Sequence, residues 1–177
     1  MDDAVFIGGP EKRAIVIEDY DPAWTARFEQ AQAALSQALG AKAHRIEHFG
    51  STAVPGLGAK GIIDVMVTVD DADDEDDYGP SLTQAGFDIR VRQPGHRMYR
   101  PPSHDVHVHI LTEGSEGAKV RLLFRDWLRH DEHDRRLYEE TKRELARKDW
   151  DATNDYSEAK GAVVAEILAR AHRWARG

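Results

Sequence analysis

One segment of this sequence combines residue types that bind phosphate and metal ions. Residues 48–67 read HFGSTAVPGLGAKGIIDVMV. A predicted strand ends at Gly50, Ser51 and Thr52, a turn whose backbone N–H groups and two hydroxyls can surround an anion. Asp64 follows in a run that is apolar on both faces, where an unpaired carboxylate is costly. Because metal-dependent phosphoryl or nucleotidyl transfer needs a phosphate turn beside a carboxylate, Asp64 is the predicted catalytic and metal-binding residue. The alternative role for Asp64 is a structural hydrogen bond to the turn.

Two histidines are the predicted partners of Asp64 in a metal site. Asp105, His107 and His109 share one face of a predicted strand, because strand side chains alternate. On its own strand Asp64 has Met66 as the same-face neighbour, and a thioether does not bind Mg²⁺. A site of Asp64, His107 and His109 suits Mn²⁺, Fe²⁺ or Zn²⁺ better, because Mg²⁺ prefers oxygen ligands. The two histidines have alternative roles as exposed strand residues, or as hydrogen-bonding groups for a substrate phosphate or base.

Five basic residues are candidates for the walls of an anion-binding cleft. Lys60 follows the turn and can reach phosphate oxygens, or it lies in a solvated loop. Arg97 and Arg100 lie on a predicted strand between the two candidate ligand strands, where the alternative is a solvent-facing position. Arg125 and Lys160 lie in the C-terminal helices, where they either close the cleft or join an ion-pair network between the two halves of the protein.

Hydrophobic periodicity predicts an α/β (α+β) fold, in which a helix and a mixed sheet precede a helical C-terminal third. The run 14–17 is either an edge strand or an ordered segment that leads into the first helix. The acidic run at 70–77 is interpreted as a solvated loop and helix start, since it lacks the glycine and glutamate of a calcium loop. Predicted strands cover 44–49, 62–69, 87–92, 97–100 and 105–111. Predicted helices cover 22–39, 80–85, 119–129, 132–148 and 156–174.

The bulk composition limits the classes of function. A chain of 177 residues with 41% hydrophobic residues suits a single domain over 1–177, with a flexible leader at 1–12. A net charge of −8 opposes sequence-independent nucleic-acid binding but permits a small anionic ligand held by clustered basic residues. No cysteine is present, which excludes thiol catalysis and fits a reducing cytoplasm. The sequence has no run of the roughly 20 apolar residues that would cross a membrane.

The segment 48–67 resembles the signature of the GrpB family, which belongs to the polymerase-β-like nucleotidyltransferase superfamily. Two later strings, FRDWLR at 124–129 and YSEAK at 156–160, resemble helical motifs of the same family. The resemblance covers about 15–167. It implies a nucleotidyltransferase-like mixed sheet flanked by helices. It also implies that Gly50 and Ser51 form a nucleotide-phosphate turn and that Asp64 is the carboxylate of the metal strand.

The resemblance leads to one main hypothesis and two alternatives. In the main hypothesis the protein transfers a nucleotidyl group from a nucleoside triphosphate to a small acceptor, using Mg²⁺ or Mn²⁺, or Zn²⁺. Active members of the superfamily carry two acidic residues two positions apart on this strand, and here Met66 takes the second place. The first alternative is therefore a non-catalytic module that binds a nucleotide or a coenzyme A-related ligand, since related domains are joined to dephospho-CoA kinase. The second is an interaction scaffold, and a homodimer is compatible with the sequence.

Overall fold

The structure is a computed structural model that describes residues 3–177. In chain order the elements are β1 (Val5–Phe6), α1 (Ala23–Leu39), β2 (Arg45–Phe49), β3 (Ile63–Val69), α2 (Glu75–Gln84), β4 (Asp88–Gln93), β5 (His96–Arg100), β6 (Val106–Thr112), α3 (Glu116–His130), α4 (Glu132–Ala146), α5 (Thr153–Ala159) and α6 (Gly161–Ala175). The predicted mixed α/β architecture is confirmed. Asp21 lies just before α1, and its carboxylate accepts a hydrogen bond of 2.8 Å from the backbone N–H of Ala23, the first residue of the helix.

The strands form one mixed sheet in the order β1-β4-β5-β6-β3-β2. β3 and β6 are parallel, whereas the other neighbours are antiparallel. In this parallel pair Asp64 lies opposite His107, and Met66 lies opposite His109. The two candidate ligand strands, which are far apart in the sequence, are therefore direct neighbours in the sheet.

The two faces of β3 serve different layers. Ile63, Val65, Val67 and Val69 are buried against α1 and α2, in a cluster that includes Trp24. Burying each such side chain contributes roughly 1.5–3 kcal/mol to folding. The opposite face carries Asp64 and Met66, and Met66 packs there against β6 and α3. A third hydrophobic cluster joins the loop after β2 to the C-terminal helices; it contains Val54, Leu57, Trp127, Leu128, Tyr138, Ile167 and Ala171. The C-terminal helices thus stand over the face from which Asp64 projects.

The N-terminal segments and the last predicted helix compare with the expectations in different ways. The flexibility expected of the leader at 1–12 stays a prediction. Residues 1–2 lie outside the described residues, and Val5–Phe6 pair with β4. The run 14–17 is not a strand; the neighbouring Glu18 forms an isolated bridge with Ala59. The single helix predicted at 156–174 is instead the two helices α5 and α6. Within residues 3–177, the helices are all too short or too polar to cross a membrane.

Candidate metal and phosphate site

Asp64, His107 and His109 converge on one point between β3 and β6. Each offers one potential ligand atom, and these three atoms lie within 4.8 Å of one another. His109 Nε2 is 3.3 Å and His107 Nδ1 is 3.8 Å from Asp64 Oδ1. Asp105, from the same predicted face, lies outside this group; its carboxylate instead accepts from Ser103 and lies 3.5 Å from Arg27. The structure therefore brings together the three residues predicted as metal ligands, and their role remains a prediction.

The donor set fits a transition-type divalent ion better than Mg²⁺. Among residues 3–177, this group contains one carboxylate and two imidazoles. Met66, which faces the same side as Asp64, is fully buried in the core. Three protein ligands of this kind leave coordination positions open, as in catalytic zinc and non-haem metal sites. The cluster could therefore hold such an ion and still accept an oxygen from a ligand.

His96, on the adjacent strand β5, orients His109. Its Nε2 lies 3.0 Å from His109 Nδ1, and the two rings are stacked. On the other side of the ring, His96 Nδ1 lies 3.3 Å from Gln93 Oε1, a hydrogen-bond acceptor. In the tautomer in which His96 donates to Gln93 from Nδ1, a neutral His96 accepts at Nε2 the proton on His109 Nδ1. With a cation bound, this tautomer would leave the lone pair of His109 Nε2 for the ion shared with Asp64, in place of the hydrogen bond that Nε2 otherwise donates to the carboxylate.

Burial keeps two imidazoles at this site, those of His107 and His96, neutral. It lowers the pKa of His107 to about 4, although the charge of Asp64 opposes the shift. Burial and the neighbouring His109 lower the pKa of His96 to about 3. For Asp64, burial acts to raise the pKa, but the hydrogen bond from His109 and the charges of the neighbouring basic groups lower it below its usual range. An ionised Asp64 beside a neutral His107 is the protonation state in which these two groups bind metals.

The turn at Gly50 packs directly against Asp64. Gly50 has φ +72°, and a Cβ at this position would lie 2.5 Å from Asp64 Oδ2. Glycine is therefore required here both for its backbone conformation and for lack of space. In the described part of the chain, Asp64 receives no hydrogen bond from the turn, so the alternative structural role expected for it is not the one observed. The close approach places the turn and the Asp64–His107–His109 cluster at one site.

The two hydroxyls of the turn face different cavities. Ser51 Oγ lies 2.9 Å from Lys142 Nζ and lines the cavity that contains Asp64. Thr52 was predicted to bind phosphate, and the structure contradicts this placement: its hydroxyl lies 2.9 Å from His48 Nε2 and donates to the carbonyl of Ile62. The reason is that Ser51–Ala53 form a short 3-10 turn, in which successive side chains point about 120° apart.

Three lysines line the cavity opposite the metal cluster. Lys60, Lys142 and Lys160 border a cavity of about 320 Å³ that also contains Asp64, His107 and His109. Burial lowers the pKa of Lys60. Burial and the charge of Lys160 lower the pKa of Lys142 to about 7, whereas burial and the charge of Lys60 lower that of Lys160 to about 8. Burial and mutual repulsion both destabilise these charged ammonium groups. The three lysines therefore form a strong candidate site for an anion, because a bound anion would offset the cost of burial and the cost of repulsion.

Arg97 and Arg100 do not line this cavity, so the cleft positions predicted for them are wrong. Arg97 points to the α2 side of the sheet, where it forms salt bridges of 2.9 Å with Asp73 and 3.1 Å with Glu75. Arg100 donates to both carboxylate oxygens of Glu11, with one distance of 3.0 Å. Arg97 thus joins the sheet to the start of α2, and Arg100 joins it to the N-terminal segment.

Arg125 belongs to an ion-pair network, which was the second role considered for it. Its guanidinium donates to Glu47 and to the carbonyl of His48, both at 2.9 Å, and it therefore joins α3 to β2. It also bonds to the adjacent Asp126. Lys160, from the same group of candidates, does line the cavity with Asp64.

A larger cavity of about 810 Å³ lies on the other side of the turn, next to Arg125. Its lining includes Thr52 and His48, and burial lowers the pKa of His48 to about 4. Glu29 and Glu47 offset much of the charge of its arginines. The smaller cavity is the candidate site, because it holds the metal-type ligands together with lysines that lack carboxylate partners within residues 3–177.

Sequence reasoning missed Lys142, Tyr138 and His96. Lys142 is 2% exposed and also donates to the carbonyl of Gly58. It lies one helical turn after the buried Tyr138, so a lysine on the apolar face of a helix was the signal that could have found it. His96 carried no comparable signal, because a histidine beside a turn is most simply explained as exposed.

A mixed α/β fold with an Asp–His–His cluster beside a lysine-lined cavity defines a candidate metal and phosphate-binding protein. A family model described as GrpB protein matches residues 14–170, and the chain therefore belongs to the GrpB family. A UPF0157 protein of Streptomyces coelicolor is 47% identical over 165 residues, which are 93% of this chain and 88% of that protein.

Two further matches are a solved structure and a longer protein. The crystal structure of conserved protein GrpB from Enterococcus faecalis matches with a TM-score of 0.81 at 29% identity, over 92% of this chain and 100% of that one. A dephospho-CoA kinase of Mycobacterium leprae is 28% identical over 187 residues, which are 88% of this chain but 46% of the kinase. This chain thus spans less than half of that larger protein.

Proposed function

We propose that this chain binds a small phosphate-bearing ligand together with one divalent metal ion in the cavity between the sheet and helices α4 to α6. The observation that carries the proposal is the arrangement of opposite charges in one cavity. Asp64, His107 and His109 form one wall, and three lysines form the other. A metal-bound phosphate is the simplest ligand that satisfies both walls, because it presents a cation to the first and an anion to the second.

In this proposal each side chain has a separate task. Asp64, His107 and His109 hold the ion, which supplies Lewis-acid polarisation of a phosphate oxygen. Lys60 and Lys160 neutralise the phosphate charge. Lys142 connects the phosphate turn to α4, since its ammonium group bonds both Ser51 and the loop at Gly58. The ligand therefore contacts both the sheet and the C-terminal helices.

Nucleotidyl transfer from a nucleoside triphosphate to a small acceptor is the second candidate. The close packing of Gly50 on Asp64 favours it, because this contact places a phosphate turn directly beside the metal cluster. The single carboxylate of the described cluster favours binding without transfer, since a two-metal arrangement needs further oxygen ligands. A pyrophosphate-release assay with Mn²⁺, each nucleoside triphosphate and dephospho-CoA as the acceptor tests this candidate. Release above background that Asp64→Asn abolishes would support transfer.

Thermal unfolding with Mg²⁺, Mn²⁺ or Zn²⁺, each with and without ATP, tests the binding proposal. A ligand at 100 times its Kd stabilises a protein by about 2.7 kcal/mol, which corresponds to about 5–10 °C for a domain of this size. We expect Mn²⁺ or Zn²⁺ with ATP to produce such a shift and Asp64→Asn to remove it. The matched control is Asp105→Asn, an acidic residue next to β6 that lies outside the cluster. No shift with any metal and nucleotide, or equal shifts in both variants, would refute the proposal.

A further inference from the structure

Lys160 carries an amine that no other side chain engages. It is half-buried and lines the cavity that contains Asp64. Within residues 3–177 its Nζ has no hydrogen-bond acceptor and no carboxylate within salt-bridge distance. The Tyr156 hydroxyl is the polar side-chain atom of that range that is both sealed in the core and without a partner, so Nζ of Lys160 is not sealed in the core. Lys142, by contrast, is bonded to Ser51. Lys160 is therefore a free amine at the wall of a cavity.

A second amine, that of Lys60, shares an aromatic ring with Lys160. Lys160 Nζ lies 4.8 Å and Lys60 Nζ lies 5.3 Å from the centroid of the Tyr156 ring, within the range of cation–π attraction. Burial and the charge of Lys60 lower the pKa of Lys160 to about 8, although the charge of Asp64 opposes the shift. Roughly a tenth of Lys160 is thus neutral at pH 7, against fewer than about one in a thousand of an ordinary lysine.

A neutral amine without a partner is a nucleophile for a carbonyl carbon. Burial and a neighbouring cation are two ways in which proteins activate a lysine for imine formation. The lone pair of Nζ forms a C–N bond while the π electrons of the carbonyl move to its oxygen, which takes a proton from the nitrogen. Loss of water then leaves a C=N bond, so the two protons that Nζ gives up depart with the carbonyl oxygen. The step needs no oxidant, reductant or further reactant.

The rest of the cavity indicates what else such a ligand carries. A cavity of about 320 Å³ is at the lower end of the range for small-molecule sites, so the ligand is small. Lys60 also has no carboxylate within salt-bridge distance in the described part of the chain, and its cation is available to an anionic group. Lys142 and Ser51 line the same cavity. A phosphate group therefore fits beside an amine that can react.

We infer that Lys160 forms an imine with a small aldehyde or ketone that carries a phosphate group. Lys60 then neutralises the phosphate charge, as in the proposed function. The inference rests on the proposed function for the phosphate group alone, because formation of the imine depends on Lys160. It gives the cavity a reversible covalent step that the binding of a metal-bound phosphate does not require.

Trapping with cyanoborohydride tests the inference, because this reagent reduces an imine to a stable secondary amine. The protein is incubated with glyceraldehyde 3-phosphate or dihydroxyacetone phosphate, reduced and mapped by peptide mass spectrometry. We expect Lys160 to gain the mass of the ligand less one oxygen atom, at ligand concentrations that leave the exposed Lys119 unmodified. Lys160→Arg keeps the charge but cannot form an imine, so the trapped fraction should fall about tenfold or more, because exposed lysines are almost wholly protonated. Trapping by the first probe alone identifies an aldehyde as the ligand, and trapping by the second alone identifies a ketone.

An exposed lysine on α3 supplies the matched control. Lys119 pairs with Glu116 at the surface, and Lys119→Arg should leave the trapping of Lys160 unchanged. Lys160→Met serves as a second variant if a melting curve shows that arginine impairs folding at this position. Both variants should show the same loss of trapping.

The outcomes separate the imine from the proposed function. No trapping with either probe, equal trapping in wild type and Lys160→Arg, or an adduct on Lys142 instead overturns the inference; a metal-dependent thermal shift with ATP in the same preparation leaves the proposed function standing. Equal trapping by glyceraldehyde and glyceraldehyde 3-phosphate overturns the phosphate group of the ligand. Trapping of Lys160 by a phosphate-bearing probe, without any metal-dependent shift, supports the inference and overturns the metal ion of the proposed function.

Discussion

The substitution Gly50→Ala tests the contact between the turn at Gly50 and the Asp64–His107–His109 cluster. A Cβ at this position would lie 2.5 Å from Asp64 Oδ2, whereas ordinary contact begins at 3.4 Å. The carboxylate must therefore move by roughly 0.9 Å, or the turn must open, since overlap at this distance is strongly repulsive. Either movement changes the position of one metal ligand relative to the two histidines.

The expected loss of stability has two parts. Alanine at the positive φ of Gly50 costs about 1–3 kcal/mol. Steric overlap in a packed site adds about 1–3 kcal/mol. Gly56→Ala is the matched control, because Gly56 also has a positive φ but has nothing within 4 Å of the position that the methyl group would take. Gly56→Ala should therefore carry the first cost and not the second.

Urea unfolding followed by tryptophan fluorescence measures the difference, since the chain contains four tryptophans. We expect Gly50→Ala to lose about 1–3 kcal/mol more than Gly56→Ala. Its affinity for Mn²⁺ should fall about tenfold or more, because a displaced ligand no longer meets the other two. Equal loss of stability in both variants, together with unchanged metal affinity in Gly50→Ala, would refute the reasoning.

Three further predictions concern groups around the site and one buried ion pair. His96→Leu should weaken Zn²⁺ binding about tenfold to hundredfold in calorimetry, because the metal-ligand imidazole that it orients becomes free to rotate; an unchanged Kd would contradict this. The pKa of Lys142 is lowered from 10.5 to about 7, so between these values the unfolded chain binds more protons and stability should rise with pH, by at most about 1.4 kcal/mol per pH unit. Lys142→Met should reduce that slope in urea titrations at several pH values, and identical slopes would disprove the assignment. Arg170→Leu should cost about 3–5 kcal/mol, because it leaves the buried carboxylate of Asp134 unpaired. Arg136→Leu, which removes an exposed ion pair, should cost less than about 1 kcal/mol and serves as its control.

Local patterns in the sequence were sufficient to predict the strands that carry the candidate site. The run 62–69 is apolar on both faces, and the observed strand is Ile63–Val69. Alternation placed His107 and His109 on one face of the next ligand strand, and both now point toward Asp64. These features follow from the backbone of a strand, whose side chains alternate whatever the rest of the chain does.

The face on which a side chain lies relative to the other layers was not predictable in this way. Arg97 and Met98 are adjacent on β5, yet Met98 lines the cavity and Arg97 pairs with Glu75 on the opposite side. Alternation predicts that two neighbouring side chains point in opposite directions, but it does not predict which of the two directions faces the candidate site. That depends on where α4 to α6 pack, and they follow the strand by tens of residues.

By itself, the sequence determined the residue types, the periodicity of the elements and the family to which the chain belongs. It also indicated that Asp64 and the two histidines are the candidate metal ligands. Only the tertiary structure decided that Lys142 bonds to Ser51, that Thr52 turns away and that Tyr156 is buried with no hydrogen-bond partner among residues 3–177. The physical reason is that the parallel pairing of β3 with β6 and the docking of the C-terminal helices join residues far apart in the chain. Such contacts depend on the packing of whole layers, which no local pattern encodes.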